Sequence, residues 1–291
     1  MVNGQTNTVQ FVGSVIISDF KMLKEIYSLP AATGRMHFSR LLDIVPGGDR
    51  SHGIAFNEGP DWEELRHFTA RQIRQEGLAR DKTEDMIMQE VMHFIDSLVS
   101  NGGAPVTNVK GRLLLMTACI VSGFTSGSRR REVGLGIIEI MQYVQKTFTE
   151  LHTNFRVLFF LPILAKLFPV LSGYTIIREV LGRFTACFKI PIDDHLNSYS
   201  PDFDRDFTDA FITQMRNTTD KQSPFYGKVG EDNLLATLAD IYFGGTDTTS
   251  TTLTWLILYV SKMPEIQKKL QDEIESITGN VTPIGTMDRA R

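Results

Sequence analysis

Cysteine is almost absent: 291 residues contain two, Cys119 and Cys187. That is too few for a disulfide scaffold and fits no zinc-ligand spacing, so a reducing compartment is the default. A large excess of charge of one sign is missing too. The 30 Lys and Arg stand against 34 Asp and Glu, a formal net charge of -4. Without the basic stripe that tracks a phosphate backbone, nucleic acid is excluded as a partner. Long hydrophobic runs are lacking as well. The nearest, 157–171, is broken by Pro162, Lys166 and Pro169 and is too short to cross hydrocarbon, though it suits contact with a membrane surface. The opening Met1-Val2-Asn3-Gly4-Gln5 lacks the basic-then-apolar pattern of a signal peptide or anchor.

What remains is an ordinary globular composition, 42% hydrophobic and 22% charged, read as one domain over 1–291. Residues 9–17 are β-prone, and Ser18-Asp19 then opens a helix through Tyr27. The stretch 34–59 is irregular, with a turn at Pro46-Gly47-Gly48, and loops of that length are usually functional. From there apolar residues recur at three- and four-residue spacing, predicting helices over 62–74, 83–100, 109–122, 132–149, 174–195, 204–216, 231–263 and 264–277. The fold class is mainly α.

The segment 233–263 is the most informative. As one helix it would run about 45 Å, and its apolar residues surround the axis, predicting burial on most sides. Its middle is poor helix material: Gly244-Gly245-Thr246-Asp247-Thr248-Thr249-Ser250-Thr251-Thr252. Each glycine costs nearly ~1 kcal/mol relative to alanine, and hydroxyls bond back to carbonyls one turn earlier and bend the helix. A local rule broken inside a buried helix marks a functional site. The glycines admit a flat group close to the backbone, and Asp247 with Thr248 at a bend makes a proton-delivery arrangement. The plainer alternative is a small-residue packing face.

Gly244-Gly245-Thr246-Asp247-Thr248-Thr249 resembles the oxygen-activation motif of the cytochrome P450 superfamily. Ser250-Thr251-Thr252-Leu253 and the run from Met263-Pro264-Glu265 to Glu273-Ile274 are similar to the rest of that helix and the next one in animal microsomal, family 2-like members. Upstream, Gly53-Ile54-Ala55-Phe56 and Trp62-Glu63-Glu64-Leu65-Arg66 resemble the family's loop and its Trp-x-x-x-Arg helix. The resemblance implies a haem-thiolate monooxygenase holding haem b (iron protoporphyrin IX). Such an enzyme inserts one atom of O2 into a small hydrophobic substrate, with electrons from NADPH-cytochrome P450 reductase. It also implies the cytosolic face of the endoplasmic reticulum membrane.

Carried over residue by residue, the resemblance makes Asp247 and Thr248 the catalytic pair. It places Trp62, Arg66, Gly244, Gly245 and Thr248 against the haem, and Arg50, Phe56 and Phe243 beside the substrate. Trp62 and Arg66 share a helix face, so both can reach one haem propionate, or simply form a cation–π pair with each other. Arg40 and Phe159 are weaker candidates, and the six histidines receive no role. The family's cysteine loop and Glu-x-x-Arg helix are not found. Cys119 and Cys187 lie in apolar helical patterns as core thiols, so no metal ligand is assigned. The expectation is therefore a partial P450 domain, with an inactive truncated isoform acting as an interaction protein as the alternative.

Overall fold

A computed structural model describes residues 16–35, 52–77, 81–127, 131–150 and 167–279, with Gly285 and Asp288. Nine α-helices are found among them: α1 (Phe20–Tyr27), α2 (Gly59–Gln72), α3 (Asp81–Val99), α4 (Val109–Ser126), α5 (Arg131–Glu150), α6 (Tyr174–Asn197), α7 (Phe207–Asn217), α8 (Gly227–Lys262) and α9 (Pro264–Thr278). Their starts follow capping chemistry. Asp19 accepts from the Met22 amide at 2.8 Å, Asp206 caps α7 through the Asp209 amide, and prolines open α2 and α9. The mainly α expectation holds among the described residues.

The long α8 is the organising element. It packs on α4 and α6, with α7 alongside, while α5 bridges α4 and α6. Leu234, Leu238 and Tyr242 on its N-terminal half are 1% exposed, and they meet Phe188 and a ring cluster. In that cluster Phe68 of α2 stands edge-on to Phe211 at 5.4 Å and to Phe225 at 5.1 Å. Edge-to-face rings add roughly 0.5–1.5 kcal/mol per pair beyond area burial. The cluster therefore locks α2 to α7 and to the entry of α8.

Two expectations change. The β-prone run 9–17 falls largely outside the described residues, and Ile16 and Ile17 carry no regular structure. The second concerns α8, for which periodicity predicts burial on most sides. Only its N-terminal half is covered: Trp255 is 55% and Tyr259 54% exposed. Periodicity registers how apolar a face is, not whether anything lies over it, and here no described element covers that half.

Candidate functional site

The glycine–threonine segment lies inside α8, which continues through it without interruption. Hydroxyl back-bonding occurs as anticipated: Thr246, Thr248 and Thr252 donate to the carbonyls of Tyr242, Gly244 and Thr248 at 2.6, 2.6 and 2.9 Å. The helix survives its poor formers because one side of the motif is held by α4. A Cβ on Gly245 would stand 3.0 Å from Val121 Cγ2, so that glycine permits close helix approach. Thr246 is fully buried, and its carbonyl accepts from Thr117 Oγ1 at 3.3 Å.

The other side is open. A Cβ on Gly244 would meet nothing within 4 Å, Thr248 and Thr249 are exposed, and Phe243 is 51% exposed. The two glycines thus have different duties, one for packing and one facing outward. Asp247 is half exposed and pairs with Lys110 at the start of α4, Nζ to Oδ1 3.5 Å. An exposed pair of this kind contributes little to stability.

On α2, Trp62 is buried and its indole N–H donates to the Ile54 carbonyl at 3.0 Å, while the Arg66 guanidinium lies 5.5 Å from the indole centroid. The two share a face as the spacing predicts, and the plainer cation–π arrangement is present. Phe56 is 51% exposed on the loop before α2. Arg40, Arg50 and Phe159 lie outside the described residues.

Between loop and helix sits a group of polar residues that the sequence pattern does not reveal. Asp240 Oδ2 accepts from the Ile54 and Ala55 amides at 2.7 and 2.9 Å. Asn233 Oδ1 accepts from the Gly53 amide at 3.1 Å and lies 3.2 Å from His52 Nδ1. Burial pushes the Asp240 carboxyl up to about 6 against the opposing pull of the two amides. Asp240 shares its helix face with Asn233, Thr237 and Asp247, so nothing in the pattern sets it apart. Its partners are backbone groups, which no residue pattern reveals.

His195, without a role in the sequence reading, is buried with Nε2 2.9 Å from Asp206 Oδ2 and Nδ1 2.6 Å from the Pro191 carbonyl. With Asp209 it forms a cluster of metal-ligand type. Both Asp209 oxygens, however, are engaged by the Arg205 guanidinium, and that arrangement is a buried ion network joining α6 to α7. Of the two cysteines expected as core thiols, Cys119 is buried and Cys187 only partly so. Cys119 is buried in α4, with its Sγ near Gly134 of α5, and Cys187 of α6 stands against Gly136, where burial pushes its thiol up.

The loop at 53–57 is thus hydrogen-bonded to α8 on one side and to Trp62 of α2 on the other. The family model described as Cytochrome P450 matches residues 7–291, and the chain belongs to that family, which implies a haem cofactor. Among curated proteins it is 27% identical over 277 residues to Cytochrome P450 2J5 of Mus musculus, covering 94% of this chain and 53% of that protein. It is 26% identical over 294 residues to Cytochrome P450 2J3 of Rattus norvegicus (96% and 54%) and 28% over 282 residues to Cytochrome P450 2K6 of Danio rerio (93% and 52%). The chain spans about half the length of the curated relatives it matches.

Proposed function

We propose that this chain is part of a haem-thiolate monooxygenase that oxygenates a small apolar substrate with electrons from NADPH-cytochrome P450 reductase. The observation carrying the reading is the uncovered side of α8. Gly244 there has open space where a side chain would begin, flanked by exposed Phe243 and Thr248. A flat apolar macrocycle can lie against such a surface at van der Waals distance, and the residues present fit one face of a haem. When bound, the haem iron supplies the oxygen-activating redox chemistry.

The protein's own part is positional and protic. Arg66, exposed on α2, is the available donor for a propionate, whereas the Trp62 indole N–H is committed to Ile54. Thr248 Oγ1 gives its proton to the Gly244 carbonyl, so a relay role requires rotation of the hydroxyl toward the open side. Asp247, tethered to Lys110, stands one residue away as the group that restores protons from solvent. Phe56 and Phe243 border the space left for substrate, and Arg50 is retained as a substrate contact. In this reading Cys119 and Cys187, held in helix packing, do not ligate the iron. The ligand is a cysteine outside residues 1–291 of the parent protein, which works on the cytosolic face of the endoplasmic reticulum.

The position of both cysteines also favours a second reading, a haem-free isoform that binds partners. One experiment separates the two. In the full-length protein, Thr248→Ala keeps the haem spectrum and substrate affinity, while product per NADPH falls and hydrogen peroxide rises. Unchanged coupling removes Thr248 from the relay, and a parent protein without haem absorption removes the enzyme reading.

A further inference from the structure

Two stripes meet where α4 crosses α8. On α8, Tyr242, Thr246 and Ser250 recur every fourth residue, and each is at most 1% exposed. On α4, Thr117, Val121 and Thr125 recur at the same spacing. Their contacts run in opposite order along the two helices: Thr125 Oγ1 to Tyr242 Oη at 3.3 Å, Val121 against Gly245, and Thr117 Oγ1 to the Thr246 carbonyl at 3.3 Å. At the Tyr242 end the seam becomes a group of hydroxyls. Ser122 and Ser126 also hydrogen-bond the phenol, and these four residues are all buried. Neighbouring helices close the group off. Thr208 of α7 donates to the Thr125 carbonyl at 2.7 Å, and the Phe188 ring of α6 stands 4.9 Å from the Tyr242 ring. Burial pushes the phenol pKa up against the pull of the three hydroxyls, so it stays a neutral donor.

A purely apolar helix contact tolerates rotation and slippage, because one methyl replaces another at small cost. A buried hydroxyl finds partners in one arrangement and is stranded in the others. At 3.6 residues per turn, Gly244 and Thr248 lie about 200° and about 240° around α8 from Tyr242. Holding the phenol against α4 therefore turns both of them away from it. We propose that Tyr242 and Thr125 are positioning residues for the candidate oxygenation site: their buried hydroxyl contact fixes the rotation of α8 about its axis and so aims Gly244 and Thr248 at the open side. This rests on the reading of that site given above. Gly245 lets the two helices approach, but a missing side chain does not select which way α8 turns. Stability and aim are separable here. Replacing both hydroxyl partners by apolar groups of like shape leaves folding nearly unaffected or strengthens it, while the aim is lost.

The test uses cysteine reporters in the 291-residue chain, one per chain: Thr248→Cys on the exposed side and Ser250→Cys in the buried stripe. Each is alkylated with iodoacetamide at neutral pH and read by mass spectrometry of the peptide that carries it. With the seam intact, the Thr248→Cys reporter should react faster than the Ser250→Cys reporter by about tenfold or more. Adding Tyr242→Phe together with Thr125→Val should shrink that contrast by about threefold or more, slowing the first reporter as well as speeding the second, while the urea midpoint holds or rises. Thr125→Ser keeps a hydroxyl and should stay within about twofold of the intact seam. An unchanged contrast in the double variant overturns the proposal, and so does a Thr125→Ser chain that behaves like the double variant. A contrast that shrinks only because the buried reporter speeds up is loosening without rotation, and it overturns the proposal too. Should the double variant lose its helical signal, Tyr242→Phe alone decides by the same readings. The oxygenase reading fails separately, on absent haem absorption in the unsubstituted full-length protein, which leaves the labelling result standing.

Discussion

The most quantitative consequence of the contact between Asp240 and the loop is a pH dependence of stability. In the folded chain the carboxyl is pushed up to about 6 by burial, against an ordinary value of 3.8. The folded state therefore holds this proton through a range where the unfolded chain has released it. For a raised pKa the stabilising contribution is complete below the unfolded value and is lost as pH rises through the folded one. The difference, at 1.36 kcal/mol per pH unit, corresponds to about 3 kcal/mol. Between about pH 4 and about pH 6 the parent chain should lose that amount relative to Asp240→Asn, which does not titrate. Seating an amide in place of a carboxyl adds a constant that moves the whole difference curve and leaves its slope alone. Urea unfolding followed by circular dichroism, with both chains measured across this range, reads the difference directly. A difference flat across the range would refute the reasoning, because it would mean that Asp240 titrates alike in both states.

Other outcomes rest on the geometry elsewhere. Burial alone would lower the His195 pKa, but the hydrogen bond and charge of Asp206, the Pro191 carbonyl and the charge of Asp209 outweigh it, and the net direction is upward. Arg205, facing Asp209, is the opposing cation. The contribution of His195 is then complete below 6.5 and lost as pH rises through its folded value, so the stability gap between the parent and His195→Gln should narrow in mildly alkaline buffer; a constant gap contradicts this. Phe211→Ala, at a fully buried ring touching Phe68, Phe207 and Phe225, should cost about 3–5 kcal/mol in denaturant unfolding. Trp62→Phe keeps a ring for Arg66 but deletes the bond to Ile54, and should cost about 1 kcal/mol with faster exchange at that loop.

Much of this architecture was legible because helices announce themselves locally. Asp19 and Pro264 sit where α1 and α9 begin, and the eight longer helices start and end within a few residues of the periodic runs. The misses have physical causes. α8 begins at Gly227 rather than near Glu231 because its first turn, with two glycines, is held by packing at Phe225: a Cβ on Gly230 would meet the Phe225 carbonyl at 2.3 Å. Propensity counts such glycines against a helix, and tertiary contact overrides it. α7 starts at Phe207, not Asp204, since Asp206 serves as its cap. The hydroxyl back-bonding at 246 and 248 was readable, and so was the pairing of Trp62 with Arg66. The partners of Asp247, Asp240 and His195 were not, because Lys110, the Ile54 and Ala55 amides, and Asp206 are brought to them by the fold.

The C-terminal half of α8, which no described element covers, has a consequence for how this chain behaves in a tube. Trp255, Leu256, Leu258 and Tyr259 on α8, together with Ile266, Leu270 and Ile274 on α9, remain 39–55% exposed, a larger apolar display than isolated surface residues make. Water wets such a face poorly, so the purified chain should light up dyes such as ANS while keeping a native-like helical signal. It should also grow in hydrodynamic size with concentration and return to a smaller species in mild detergent. Its limiting property at the bench is therefore colloidal: a well-packed helical core coexists with a sticky flank, and recovery of the soluble chain reports on the flank more than on the core.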